Sequence, residues 1–344
     1  MKKQEINHKK SLIKKIFVKI CRILDFEIID QNNFFVPTLS KNLNENLNIP
    51  GKKSITVPLG EIKVTRKVKA LNIIFRSCTN VNMLTQNKKR LFDKNKSEYT
   101  FRSLNSILKS LVKSKKIFPS IDFEITVIDF NSKKEDLDQI KKQLSNSNVK
   151  NSLISLNVNE FKNNIKKINA KKQQVTEKQM SNMSNIHKSL IIAKNESKDL
   201  IYFVEDDYIH QSDAIQEMIF TYERLSSQFD KELFLCPADY PYLYTKAEPT
   251  NIFIGSNKHW RIVNETLCTF LTSKEIIERY WEKLVSMCQF EHYPFEHPLH
   301  EIYKTEKCLS PIPSLAIHFT NINSIFGLSP NIDWKKIWEE NENY

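Results

Sequence analysis

From about position 70 onward, apolar residues fall into short runs alternating with helical stripes. The runs at 71–75, 123–128, 152–156 and 200–204 have the length of buried strands. Between them, 101–112, 137–144 and 183–193 carry apolar residues at helical spacing, with Leu104, Ile107, Leu108 and Leu111 on one face of the first. The resulting β-α-β-α-β-α-β order predicts an α/β fold: a mixed, mostly parallel sheet flanked by helices. Ser212 or Asp213 can cap a further helix over 214–225. Strands at 232–236, 266–272 and 315–319 and a helix over 274–287 follow. Upstream, 54–57 and 61–68 read as two strands around Pro58-Leu59-Gly60. Residues 1–26 interleave lysines with Leu12, Ile13, Ile16, Phe17, Ile20, Ile23 and Leu24 in a basic amphipathic helix. The chain thus divides into a basic N-terminal extension (1–69), an α/β domain (70–325) and a C-terminal tail (326–344).

Composition narrows the chemistry. With 344 residues, 40% hydrophobic and 27% charged, the chain can bury a large core. Only 4 glycines are present and neither GxGxxG nor GxxxxGK[ST] occurs, so a glycine-rich phosphate loop is excluded. The net charge of +12 suits an acidic partner or reflects a Lys-rich composition. The Lys-rich stretch 162–178 reads as a solvated segment. The six cysteines are scattered without CxxC, which fits buried thiols in a reducing compartment. No apolar run is long enough to span a membrane, and the N-terminus is a poor signal peptide. The expected location is the cytoplasm. The basic helix either lies on the inner membrane face or packs its apolar stripe on the main domain.

The run 200–204 leads directly into Glu205-Asp206-Asp207. Ligands gather at the carboxyl ends of strands in open α/β sheets. Three adjacent acids there repel one another unless a cation shares the site, and a divalent metal carrying a phosphorylated ligand is one such cation. Asp129 ends the second strand and Arg76 the first, on the same edge. A carboxylate there can bind ribose hydroxyls, and an arginine can pair with phosphate or carboxylate.

Four features together resemble a nucleotide-sugar glycosyltransferase of the GT-A, Rossmann-like fold, family 2-like. They are strand 71–75 with Arg76, strand 123–128 with Asp129, helix 183–193 with Asn185 to Ala193, and Phe203-Val204-Glu205-Asp206-Asp207. The last is similar to the DXD element in a Glu-Asp-Asp form. The resemblance covers about 70–320. It implies a Mn²⁺ or Mg²⁺ ion on Asp207, with Glu205 and Asp206 on ribose, sugar or metal-bound water and Asp129 near the base or ribose. Arg76 and Lys188 are candidates to hold the donor. His318, inside an apolar strand, is a candidate second metal ligand or a core histidine. An inverting transfer also needs a carboxylate base. Glu296 is the first candidate and Asp239 the second. The implied donor is a nucleotide sugar, most simply a UDP-sugar, and the acceptor a glycan, a lipid-linked sugar or a protein. The small glycine-containing loops usual in that family are missing from this chain, so the resemblance does not fix the shape of the donor pocket. A nucleic-acid-binding or scaffold role, or a non-catalytic relative of the same fold, is the competing reading. No helix-turn-helix spacing, zinc site or RNA-binding aromatic signature accompanies the positive charge. His297-x-x-His300-Glu301 does not have the order of a zinc hydrolase motif.

Overall fold

The computed structural model describes residues 12–24, 26, 54–57, 60–80, 90–245, 250–320 and 322–344. Helix α1 (Leu12–Ile23) is followed by the antiparallel pair β1 (Ser54–Val57) and β2 (Gly60–Lys63), then by β3 (Ala70–Ser77), α2 (Lys96–Ile117), β4 (Asp122–Asp129), α3 (Lys134–Asn146) and β5 (Lys150–Ser155). Next come α4 (Glu177–Asn195), β6 (Leu200–Glu205), β7 (Tyr208–His210), α5 (Ala214–Phe229), β8 (Phe234–Leu235), β9 (Ile252–Ile254), β10 (His259–Val263) and β11 (Phe270–Ser273). The remainder is α6 (Lys274–Arg279), α7 (Trp281–Gln289), α8 (His297–Tyr303), β12 (Cys308–Ile312), β13 (Ala316–His318) and α9 (Trp334–Glu340).

Nine strands form the main sheet in the order β5-β4-β3-β6-β11-β8-β12-β10-β9. All of them run one way except β11 and β10, which are antiparallel to their neighbours. The expected mostly parallel, mixed sheet is therefore what forms. The apolar runs dictate it: all eight residues of β3 are buried, as are the first five of β6. Each buried Leu, Ile or Phe contributes about 1.5–3 kcal/mol relative to exposure. Helix α2 packs with α3 and α5, while α4 packs with α6 and α7 and touches β3. The chain steps outward from β3 to β4 to β5, then returns through α4 to place β6 on the other side of β3. That reversal is a topological switch point, where open α/β sheets leave a crevice at their carboxyl ends.

Several elements differ from the sequence expectation. The helix expected over 274–287 breaks at Tyr280, whose backbone leaves the helical region (φ −107°, ψ 22°). The segment 162–178 is exposed at most of its positions, as expected, but it is also anchored: Ile165 and Asn169 are buried, and the Lys166 and Ala170 amides donate to the Gln289 and Glu291 carbonyls. The strand near 315–319 joins β7 in a separate two-stranded ribbon, not the main sheet. Helix α9 lies in the segment expected to be a tail. Its Trp338 stacks on Phe92 (centroids 4.2 Å apart) and tilts against Tyr99 (4.7 Å), in a second apolar cluster with Ile209, Ile317 and Phe319.

Candidate active site

A cavity of about 350 Å³ opens at the switch point, between the carboxyl ends of β3 and β6. Arg76, Lys96, Lys178 and His318 line it together with Glu205, Asp206, Asp207 and Glu296. The strand register accounts for one pair. Arg76 sits opposite Glu205 across β3–β6, and its Nη2 lies 2.9 Å from Glu205 Oε1. Arg76 Nη1 donates to Asn182 Oδ1 (3.2 Å). Burial opposes the Arg76 charge, but Glu205 outweighs it and holds the guanidinium firmly protonated. The Glu205 amide donates to Thr269 Oγ1 (3.1 Å), and that hydroxyl lies 3.3 Å from Glu205 Oε2.

Asp206 is clamped from two elements. Its Oδ2 accepts from the Cys78 amide (3.1 Å) and the Thr100 hydroxyl (2.8 Å), and its Oδ1 pairs with Lys96 Nζ. Lys96 and Thr100 are one helical turn apart at the start of α2, so one face delivers both. The positive end of the helix dipole favours a carboxylate there as well.

Asp207 lies where β6 hands over to β7. The ribbon pairs His318 with Tyr208, which sets the imidazole beside Asp207 with Nε2 3.6 Å from Oδ1. His318 Nδ1–H donates to the Phe326 carbonyl (2.7 Å), and the ring stacks on Tyr208 at 4.7 Å. Lys96 Nζ is 3.8 Å from Asp207 Oδ2. Burial would raise the Asp207 pKa, but Lys96, His318 and Arg90 outweigh it and hold the carboxylate far below its usual range. Burial would lower the His318 pKa, and Asp207 reverses the direction.

Glu296 caps the far wall at the start of α8. Burial, reinforced by the nearby Glu205 charge, pushes its carboxyl up to about 7. Cys268 Sγ is 3.9 Å from its Oε1. A carboxyl balanced near neutrality beside a cavity can take or give a proton at ordinary pH.

Arg76, Glu205, Asp206, Asp207, Glu296 and His318 thus converge on one cleft. Three other candidates do not line it. Asp129 is buried under the rim, where it accepts from Ser77 Oγ (2.7 Å), the Ser132 amide (3.1 Å) and the Ser132 hydroxyl (2.5 Å). It holds the loop after β4 and is not among the residues that line the cavity. Asp239 is buried and paired with Arg261, and its Oδ2 accepts from the Tyr244 hydroxyl (2.5 Å). Those partners occupy the oxygens that a base would need. Lys188 lies beyond Asn185 on α4, whose cleft-facing residues are Lys178, Ser181, Asn182 and Asn185. Asp206, expected on ribose or sugar, has its oxygens committed to Cys78, Thr100 and Lys96.

A Mn²⁺ or Mg²⁺ ion on Asp207 and His318 does not fit these residues. The two side chains do meet, and the Phe326 carbonyl leaves Nε2 facing the carboxylate, as a ligating histidine would. The Lys96 ammonium, however, already stands against both aspartates, and a divalent ion would face that like charge. Among the described residues, no three His, Cys, Asp or Glu side chains are placed to hold a metal ion. Arg76, Lys96 and His318 stand against the acid triplet in this structure.

Lys96 was not singled out from the sequence, and no local signal marks it. It sits in a polar stretch more than a hundred residues before Asp206. Lys178 was part of the supposed solvated segment.

No protein-family model matches the chain, and no curated protein matches it. Some solved structures resemble it in outline. The galactosyltransferase LgtC, in complex with donor and acceptor sugar analogues, superposes at a TM-score of 0.32 with 10% identity over 70% of this chain and 72% of its own. The glycosyltransferase GlyE of Streptococcus pneumoniae TIGR4 gives 0.39 with 10% identity, over 81% of this chain and 61% of its own. The inositol-1-phosphate CTP transferase of T. maritima gives 0.40 with 7% identity, over 81% and 98%. Likeness of this degree is a matter of outline, and the cleft residues carry the functional reading unaided.

Proposed function

We propose that the chain is a glycosyltransferase that moves a sugar from a nucleoside diphosphate donor, a UDP-sugar in the simplest case, to a hydroxyl of a glycan, lipid-linked or protein acceptor. The observation that carries this reading is the pairing, across one switch-point cavity, of a cation-neutralised acid triplet with a carboxyl held near pH 7. Glu296 is the general base: it takes the acceptor hydroxyl proton as the acceptor oxygen attacks the anomeric carbon. The bond from that carbon to the diphosphate breaks, and its electron pair passes to the leaving oxygen. Arg76 and Lys178 attract the diphosphate. Glu205, held by Arg76 and Thr269, keeps one oxygen edge toward the cavity for sugar or ribose hydroxyls. The acceptor oxygen, attacking from the face opposite the leaving group, gives inversion at the anomeric carbon. The decisive experiment incubates the full chain with a panel of nucleotide sugars and follows free nucleoside diphosphate. No release from any donor, together with no thermal shift by any nucleoside diphosphate, would sink the reading.

A membrane-facing acceptor suits helix α1. Ile16, Phe17, Ile20, Ile23 and Leu24 are exposed on it, in a segment rich in lysine. Such a helix binds an anionic lipid surface through both its apolar stripe and its charge. The full chain is expected to sediment with vesicles containing phosphatidylserine and to lose that binding when Phe17 and Ile20 are changed to Glu. Equal sedimentation of the variant would refute it. No helix among the described residues is long and apolar enough to cross a membrane.

A further inference from the structure

The cleft contains a cation that the acid triplet did not announce. Lys96 is the first residue of α2, and its side chain is only 9% exposed. Its ammonium pairs with Asp206 Oδ1 and lies 3.8 Å from Asp207 Oδ2. An ammonium has three protons to donate. Asp206 takes one and Asp207 faces another, which leaves the third for the cavity that Lys96 lines. Two carboxylates at a strand end, a buried positive charge between them and an open side toward the ligand form the charge pattern of a diphosphate-binding metal centre.

We infer that Lys96 is the resident cation of this cleft, binding the diphosphate of the donor directly and making a divalent metal unnecessary. The inference rests on the proposed function and names the group that holds its leaving phosphate. As the anomeric C–O bond breaks, the electron pair settles on the diphosphate oxygen, and the third Lys96 proton donates a hydrogen bond to it. No proton is transferred from Lys96, and the acceptor proton leaves to Glu296. Asp206 and Asp207 then act as positioning residues. They fix the ammonium and keep it charged despite its burial. Thr100 and the Cys78 amide fix Asp206 in turn. Three anchoring contacts on one carboxylate make little sense for a side chain that must reach a mobile substrate. They suit a mount for a fixed charge.

Binding of UDP, GDP, CDP, dTDP and ADP to the full chain should be measured by calorimetry in EDTA and again in excess Mn²⁺. At least one diphosphate is expected to bind within threefold of the same affinity in both. Lys96→Met should bind that diphosphate at least tenfold more weakly in EDTA and recover in Mn²⁺, because removing the ammonium opens Asp206 and Asp207 to the metal. A merely structural lysine would show no such rescue. Lys96→Arg should stay metal-independent. If Lys96→Met does not fold, the wild-type comparison decides alone. Wild-type binding that needs Mn²⁺ would overturn the inference and leave the proposed function standing. No binding of any diphosphate in either buffer would overturn both.

Discussion

On the β6 wall of the cleft, Asp206 is held by an amide, a hydroxyl and an ammonium, and Asp207 faces His318 and Lys96. On the α8 wall, Glu296 has the Cys268 thiol as its side-chain partner among the described residues and feels the repulsion of Glu205. Both carboxyls are half-buried, yet Asp207 is driven toward ionisation and Glu296 away from it. Partners, not depth, decide the direction. A pair of carboxyl environments pushed apart in this way separates the work of a site, with fixed charge on one wall and proton transfer on the other.

The contrast can be broken most severely at Glu296. Glu296→Gln keeps the shape and removes the base, so turnover should fall about 10²- to 10⁴-fold while the donor affinity is unchanged. The wild-type rate should decline about tenfold per unit as pH drops below the Glu296 pKa, which lies at about 7. Stability should move the other way. The folded carboxyl holds its proton up to about 7, whereas an unfolded glutamate releases it well below that. The native state therefore binds more protons across this window, and stability is lost as pH rises through it. Glu296→Gln should then be more stable than wild type above pH 7 by about 1–2 kcal/mol, because the group partly faces the cavity. Equal turnover, or a destabilised Gln variant at pH 8, would remove the distinction between the walls.

The fixed charges are tested first by stability. Asp206→Ala takes the nearer of two carboxylates from a buried ammonium and leaves only Asp207 beside it, and urea unfolding at pH 7 should show a loss of about 3 kcal/mol. Asp239→Ala strands Arg261 and should cost a similar amount, but it should leave the affinity for a nucleoside diphosphate intact. Impaired binding in Asp239→Ala would return that residue to the site.

The parallel half of the sheet could be read from the sequence because its strands are uninterrupted apolar runs separated by helical stripes. In the other half β8 and β11 fall inside runs read as strands at 232–236 and 266–272, whereas β9, β10 and β12 could not be read. β12 contains Ser310 and Pro311, and β10 contains His259 and Arg261, so neither resembles a buried strand until each lies beside the other. The site divides similarly. Residues attached to strand ends, such as Arg76 and Glu205, follow from the sheet pattern, since register brings them together. Glu296 followed from its place between the acid triplet and the C-terminus. Lys96 and the pairing of Asp239 with Arg261 depend on where a helix start or a distant strand packs, and spacing along the chain does not encode that. Three adjacent acids mark a place where positive charge is needed, but a lysine far upstream leaves no mark on the acidic segment, so Lys96 beside Asp206 and Asp207 is visible only in the structure.

The aromatic lock on α9 has a consequence for the order in which this molecule is finished. Arg102 donates to the Trp338 carbonyl across 236 positions of sequence, and Trp338 also packs on Tyr99, one turn from Lys96. A ribosome makes the parallel half of the sheet, the acid triplet and Lys96 long before it makes α9. Until that helix docks, the start of α2 lacks this aromatic support. A nascent chain stalled between His318 and Trp334 would carry every residue of the site without the contact that packs Tyr99.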